Sequence, residues 1–124
     1  EKWEQHGMHW CPVQKIPELI FDHSKIVQFS RDRLARRVSR RPLGFHMLPT
    51  EFTLGQLLKL YETALSKKID KRNFRKKLFK TNLLEDVNRK ADGSKYGQYK
   101  GSLLYQFNKQ EYQDMNLKGY PFQF

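Results

Sequence analysis

Two helix starts separated by one short break constrain the fold of this chain more than any other feature of its sequence. Thr53 and Gln56 have the spacing of a capping box, in which each side chain satisfies a backbone amide near the helix start. A buried helical face is predicted next, formed by Leu54, Leu57, Leu58, Tyr61 and Leu65. After the break at residues 66–69, Asp70 is a second N-cap, and a further helix continues to about Lys80. Two helices joined by so short a connection predict a helix-turn-helix.

The second of these helices combines a narrow apolar anchor with an otherwise basic surface. At about 100° per residue, Phe74 and Leu78 fall on one side and are expected to face the core, whereas Phe79 lies near the basic side. Arg and Lys donate to guanine and Asn pairs with adenine in the major groove, so such a surface is typical of a groove-binding helix. The predicted DNA contacts of this helix are Lys71, Arg72, Asn73, Arg75, Lys76 and Lys80.

The segment after this helix has the pattern of a β-hairpin with a long basic tip. Residues 83–87 are predicted as a strand, and Leu103, Tyr105 and Phe107 alternate as the returning strand. Between them, residues 88–101 are polar and contain glycine, so we expect a flexible wing that contacts phosphates or the minor groove. The predicted wing contacts are Arg89, Lys90, Lys95, Tyr96 and Lys100.

A further predicted helix precedes the helix-turn-helix, with Asp22 as its N-cap and Pro42 at its end. Its apolar stripe is expected to face the core and consists of Ile26, Val27, Ser30, Leu34 and Val38. Its outward residues are expected either to contact phosphate or to build a dimer interface, and they are Arg33, Arg36, Arg37 and Arg40. A short extended piece is predicted at residues 45–48, and a last helix from Asn108 to about Leu117.

The charge of the chain points to a polyanionic partner. Lys and Arg number 24 against 13 acidic residues, which gives a net charge of +11. Residues 31–41 and residues 71–80 each hold six basic residues, together 12 of the 24. A surface that serves solubility alone would intersperse both signs, so this clustering favours phosphate binding. No apolar run suits a membrane span, and the single cysteine suits a reducing compartment, so we expect a cytoplasmic protein without a membrane partner.

The predicted order of elements is helix, short strand, helix, helix, strand, wing and strand. This is the order of a winged helix-turn-helix, an α+β fold with three main helices and a β-hairpin wing. The fold class and the basic helix together favour double-stranded DNA as the partner.

Four stretches resemble the C-terminal half of the Nudix-related transcriptional regulators, the NrtR/AraR-like group. They are WCPVQKIPELIFDH from Trp10, LPTEFTLGQLLKLYETAL from Leu48, DKRNFRKKL from Asp70 and LLYQF from Leu103. The resemblance implies a winged helix that binds palindromic operators as a homodimer, and an N-terminal Nudix-like domain that senses a small molecule. Residues 1–21 would be the end of that effector domain with its linker, and residues 22–124 the DNA-binding domain.

The resemblance also bears on effector and phosphate binding. The wing and the tail KGYPFQF look like Bacteroidetes-type members, some of which respond to sugars such as arabinose, while others respond to ADP-ribose or related metabolites of NAD. Because no Nudix box occurs in this chain, the resemblance implies that it holds no cofactor and that a missing domain binds the effector. The helix start at Thr53 and Gln56 would contact phosphate, as helix N-termini do.

Two alternatives belong to other functional classes. A basic RNA-binding or ribosome-associated module has the same charge, although the basic helix has no exposed aromatic platform of the kind that stacks single-stranded bases. An enzyme or zinc protein would draw on His6, His9 and Cys11, which lie within six residues, but a fourth ligand is not evident. We therefore expect no catalytic activity and no metal site, and we interpret Cys11 as a buried packing residue.

Overall fold

The computed structural model describes residues 4–117, except for the side chains of residues 43, 44, 116 and 117. The chain forms two compact units, Glu1–Ser30 and Arg31–Phe124. The predicted packing of Phe122 and Phe124, and the helix stop at Gly119 and Pro121, lie outside the described residues.

The first unit contains little buried surface. It has two short 3-10 helices, Glu4–His6 and Val13–Lys15, and the beginning of helix α1, His23–Arg40. None of residues 4–30 is buried, and the large apolar side chains exposed here are Met8, Trp10, Val13, Ile20, Phe21, Ile26 and Phe29. Cys11 is also exposed, so its predicted packing role is wrong.

The second unit has the predicted order of elements. After α1 come a 3-10 helix, Leu43–Met47, strand β1, Glu51–Thr53, and helices α2, Leu54–Leu65, and α3, Lys71–Lys80. Strand β2, Leu84–Lys90, and strand β3, Leu103–Phe107, enclose the wing, which contains a 3-10 turn at Gly97–Tyr99. Helix α4, Lys109–Leu117, follows. The α+β winged-helix prediction is confirmed, and the helix predicted from Asn108 to about Leu117 is present as α4.

The three strands form one antiparallel sheet in which β3 lies between β1 and β2. Phe52 is opposite Tyr105 on one side of β3, and Asp86 is opposite Tyr105 on the other. Four residue steps on β2, from Asp86 to Lys90, match two on β3, so β2 bulges just before the wing. Asn88 takes a left-handed conformation in this bulge, with φ 59°, which asparagine tolerates better than most residues.

The core of this unit lies between the helices and the sheet. Its buried residues are Val38, Phe45, Phe52, Leu57, Tyr61, Phe74, Leu78, Leu83 and Tyr105. Aromatic rings join the layers, because Phe45 stacks on Phe107 with centroids 4.4 Å apart and contacts Phe52 at 5.7 Å. Aromatic pairs of this kind add to the stability that burial alone provides.

The predicted helix caps of this unit are all present. Thr53 Oγ1 accepts from the amide of Gln56 at 3.2 Å, and Gln56 Oε1 accepts from the amide of Thr53 at 2.9 Å. Asp70 caps α3 through the amide of Asn73 at 2.8 Å, and Asn108 caps α4 through the amide of Glu111 at 2.9 Å.

Two local predictions are wrong. Residues 45–47 are not extended, because they belong to the 3-10 helix from which Phe45 is buried in the core; only Leu48 is extended, and the strand begins at Glu51. The apolar stripe of α1 does not face a core along its length: Val38 is fully buried, whereas Leu34 is 37% exposed and Ile26 is 54% exposed. The periodicity identified a helix but could not show how much of it is covered.

We expect Leu78→Ala to lower the free energy of unfolding by about 2–5 kcal/mol, because it opens a cavity in a fully buried site. Urea titration followed by circular dichroism measures this loss. Lys76→Ala in the same helix is the control, since that side chain is exposed and the change should have little effect. A loss no larger than that of the control would contradict the placement of Leu78 in the core.

Candidate nucleic-acid interface

Helix α3 is attached to the body by one face and exposes the other. Phe74 and Leu78 are buried as predicted, and the Phe74 ring meets the Tyr61 ring of α2 edge-on at 5.4 Å. All six predicted contacts are exposed, namely Lys71, Arg72, Asn73, Arg75, Lys76 and Lys80. The structure therefore presents these side chains together on one basic surface, and their contact with bases stays a prediction.

Phe79 contacts both the sheet and a cation of the basic surface. Its ring meets Tyr105 of β3 edge-on at 5.8 Å, and the guanidinium carbon of Arg75 lies 5.4 Å from its centroid. A cation over an aromatic face is attracted by the ring quadrupole. Phe79 thus joins α3 to the sheet and restricts the side chain of Arg75 on the basic surface.

The break before α3 adds lysines that the sequence analysis passed over. A shallow hollow beside Asn73 is lined by Lys67 and Lys68 of the break, by Lys77 of α3 and by the N-cap residue Asp70. Lys68 is 94% exposed and pairs with Glu62 at 3.5 Å, an arrangement that contributes little to stability in water. The Lys67–Lys68 pair lies shortly before the N-cap Asp70 and between the two basic clusters, residues 31–41 and 71–80.

The wing is held by a small apolar cluster of its own and is not the flexible polar loop that was predicted. Ala91, Tyr96 and Leu104 are buried together, with Val87 and Tyr99 packed against them. Tyr96 is only 7% exposed, and its hydroxyl donates to the carbonyl oxygen of Glu51 at 3.3 Å. The hairpin encloses the Tyr96 ring and Glu51 receives its hydroxyl, so the structure gives this side chain a packing role, and its contact with DNA stays a prediction.

The predicted cations of the wing differ in whether an acidic side chain already binds them. Arg89 binds both carboxylate oxygens of Glu51, so its charge is partly neutralised at the base of the wing. Lys90, Lys95 and Lys100 are exposed, and Lys95 Nζ lies 5.5 Å from the centroid of Tyr96. The three lysines are thus better placed than Arg89 to meet phosphate.

The side chains of Thr53 and Gln56 at the start of α2 are engaged in the capping box. Thr53 is fully buried, and the Thr53 and Gln56 side chains bond to each other's backbone in the capping box. Their side chains therefore stabilise the helix start, and the predicted contact of this helix N-terminus with phosphate stays a prediction.

Gly55 makes room for the wing at the start of α2. A Cβ atom at this position would lie 2.6 Å from Cε1 and 2.8 Å from Cδ1 of Tyr99. Such distances are far below van der Waals contact, so only glycine allows the Tyr99 ring to lie against the helix. Together with the two contacts at Glu51, this packing holds the wing to the β1–α2 junction.

A carboxylate organises the turn at the tip of the wing. Asp92 Oδ1 accepts from the Ser94 hydroxyl at 2.6 Å, the Ser94 amide at 3.0 Å and the Lys95 amide at 3.1 Å. These hydrogen bonds, the Ser94 hydroxyl foremost, lower the pKa of Asp92 below its ordinary value. The turn fixes the backbone next to Lys95.

Residues 4–117 contain no group of three or more His, Cys, Asp or Glu side chains that could hold a metal ion. In the same residues, no helix combines the length and apolar character needed to cross a membrane.

We expect Gly55→Ala to loosen the wing, because the methyl group and the Tyr99 ring cannot both be accommodated. Overpacking of this kind costs about 1–3 kcal/mol. The loss lowers the free energy of local opening and should be measured as faster amide hydrogen exchange in residues 91–102. Gly93→Ala is the control, since its Cβ would meet only the flexible Lys100 side chain at 3.3 Å. In a Tyr99→Ala background the Gly55→Ala change should have no additional effect, and an undiminished effect there would contradict the steric explanation.

We expect the tip of the wing to lose order at acidic pH. The pKa of Asp92 is lowered in the folded protein, so the ionised carboxylate stabilises the turn fully above the ordinary aspartate range. This stabilisation is lost as the pH falls through the lowered pKa. Amide NMR shifts of Ser94 and Lys95 against pH measure this. Asp92→Asn should abolish the titration, and a midpoint at or above the ordinary aspartate pKa would contradict the hydrogen-bonding account.

Comparison with known proteins agrees with this geometry. A model of the NrtR DNA-binding winged helix domain matches residues 44–107, which contain both helices of the helix-turn-helix and the wing. The ADPR responsive transcriptional repressor NtrR of Acinetobacter baylyi is 29% identical over 117 residues, covering 91% of this chain and 45% of that protein.

Solved structures show the same likeness. Shewanella oneidensis NrtR matches with 28% identity and a TM-score of 0.59, over 77% of this chain and 41% of that one. The same protein complexed with a 27mer DNA matches with 26% identity and a TM-score of 0.61, over 82% and 44%. The chain thus spans less than half the length of these relatives. Its fold, its exposed basic helix and the matching family model show that the chain belongs to the NrtR family of DNA-binding winged helix domains.

Proposed function

We propose that this chain is the DNA-binding part of a bacterial, ligand-responsive transcriptional repressor that binds a palindromic operator as a homodimer. The observation that carries the proposal is the exposed surface of α3, where six cations and one amide surround a buried two-residue anchor. In this arrangement α3 enters the major groove and the wing contacts the adjacent backbone.

Within this proposal the side chains divide by what they contact. Arg72, Asn73 and Arg75 recognise base edges, with Arg75 restricted by the Phe79 ring. Phosphate contacts come from the exposed lysines of the break before α3 and of the wing, namely Lys67, Lys68, Lys90, Lys95 and Lys100. Three contacts hold the wing at the β1–α2 junction: those of Arg89 and Tyr96 with Glu51, and that of Tyr99 with Gly55. Its backbone therefore loses little conformational entropy when the lysines bind phosphate.

The effector and the dimer are proposed on different grounds. The Acinetobacter relative is named for its response to ADPR, which favours an NAD-derived metabolite over a sugar, bound by a Nudix-like domain that precedes residues 22–124. The first unit exposes Ile20, Phe21, Ile26 and Phe29, and apolar surface of this kind marks a contact with other protein. We assign that contact to the remainder of the regulator or its second copy. The site of action is the bacterial cytoplasm, where the operator lies.

Fluorescence-anisotropy titration tests the proposal with a palindromic duplex selected from random DNA and with its scramble. We expect Arg72→Ala and Asn73→Ala each to weaken operator binding by about 1–3 kcal/mol and to relax base preference, because they remove base contacts. Lys95→Ala should weaken both duplexes alike, because a phosphate contact carries no sequence information. It is the matched control for loss of charge.

Two outcomes would contradict the proposal. Equal losses on operator and scramble for Asn73→Ala would remove α3 as the base-contacting helix. If wild-type protein bound the selected duplex, its scramble and single-stranded RNA with the same affinity, the chain would be a general polyanion binder.

A further inference from the structure

Five arginines at the end of α1 form a separate basic surface, the arginine cluster. They line one open hollow and are all exposed: Arg33, Arg36, Arg37, Arg40 and Arg41. Arg41 continues the helical turn, since its amide donates to the carbonyl oxygen of Arg37 at 2.9 Å. The hollow has no lining residue from α3 or the wing, so this surface is distinct from the one described above.

The orientation of this part of α1 is fixed by contacts on another side of the helix. Val38 is fully buried in the core, and Arg31 Nη2 donates to Ser66 Oγ at the end of α2 at 3.4 Å. Because these contacts hold the helix, the arginine cluster is presented in one direction and does not depend on a ligand for its placement.

The cluster is electrostatically unfavourable for the isolated domain. Arginines three or four residues apart repel one another, and five such pairs occur among its members. The helix dipole favours cations in the last turn and so accounts for Arg37, Arg40 and Arg41, but Arg33 and Arg36 lie before that turn. No acidic residue lines the hollow. A ligand that supplies negative charge would relieve this repulsion.

The chemistry of the cluster favours a nucleic-acid backbone over a second copy of the chain. Guanidinium groups bind phosphate through paired N–H donors. From Arg33 to Arg40 the helix rises about 10 Å, a length that matches roughly three phosphates at about 3.4 Å of duplex axis each. A second copy carries the same net charge of +11 and would approach against repulsion.

We propose that the arginine cluster is a second phosphate-binding surface for duplex DNA, which adds affinity without base preference. The proposal rests on the DNA-binding function proposed above and extends it from α3 and the wing to α1. It assigns the arginines to phosphate and removes them from the dimer interface.

The test compares two variants of equal charge. Arg36→Gln/Arg40→Gln removes two cations from the cluster, and Lys15→Gln/Lys109→Gln removes two exposed cations from elsewhere. At physiological salt we expect the cluster variant to bind the operator and the scramble each with an affinity at least roughly tenfold lower than that of the wild type. The slope of log affinity against log salt concentration should fall in magnitude by about 2. The control variant should change little in either quantity. The midpoint temperature of thermal unfolding of the cluster variant should be unchanged or raised, because repulsion among the arginines is relieved. Sedimentation equilibrium should show that the variant keeps the wild-type oligomeric state.

Each other result counts against the proposal. Equal behaviour of the two variants would overturn it, and so would an affinity loss accompanied by dissociation, which would place the arginines in the dimer interface. A wild-type protein that did not distinguish operator from scramble would refute the operator-binding function, yet the change in salt slope on the scramble would still test the cluster. The two failures are therefore distinguishable.

Discussion

The burial of Phe74 and Leu78 is the contact on which the rest of this structure depends. These two side chains attach a helix that is otherwise basic to Tyr61 and the surrounding core. A helix with so many like charges gains little stability by itself, and most helical stability in proteins comes from packing of an apolar face. Because the anchor is narrow, most of the helix circumference is exposed, as the proposed contact of α3 with DNA requires.

A small apolar anchor also holds the wing. Most of its residues are polar, yet Tyr96, Tyr99 and Ala91 hold it in place through the small cluster with Leu104. Glu51 receives both the Tyr96 hydroxyl, at its carbonyl oxygen, and Arg89, at its carboxylate. A short edge strand therefore positions the wing, and α2 contributes through the space that Gly55 leaves. The exposed lysines of the wing therefore lie on a backbone that contacts within the domain already hold in place.

Charge is distributed over the domain in three places. The basic face of α3, the lysines of the wing and the break before α3, and the arginines at the end of α1 are each exposed. Family membership accounts for DNA binding by a winged helix. Phosphate contacts govern affinity and its salt dependence, while base contacts govern preference, so a domain of this kind can vary the two separately.

The sequence by itself determined the parts whose hydrogen bonds close within a few residues. The caps at Thr53, Asp70 and Asn108, the two helices of the helix-turn-helix and the returning strand are all where the pattern predicts them. The exposed and buried faces of α3 also followed from periodicity, because both are properties of one helix.

Only the tertiary structure decided which side chains the rest of the molecule covers. Tyr96 is enclosed by its own hairpin, and the side chains of Thr53 and Gln56 are engaged in the cap. Leu34 stays 37% exposed although it lies on the apolar stripe. The need for glycine at position 55 arises from a tyrosine forty-four residues later in the chain. Spacing along a chain reports local hydrogen bonding and the faces of a single element, whereas burial depends on distant residues that meet only when the chain has folded.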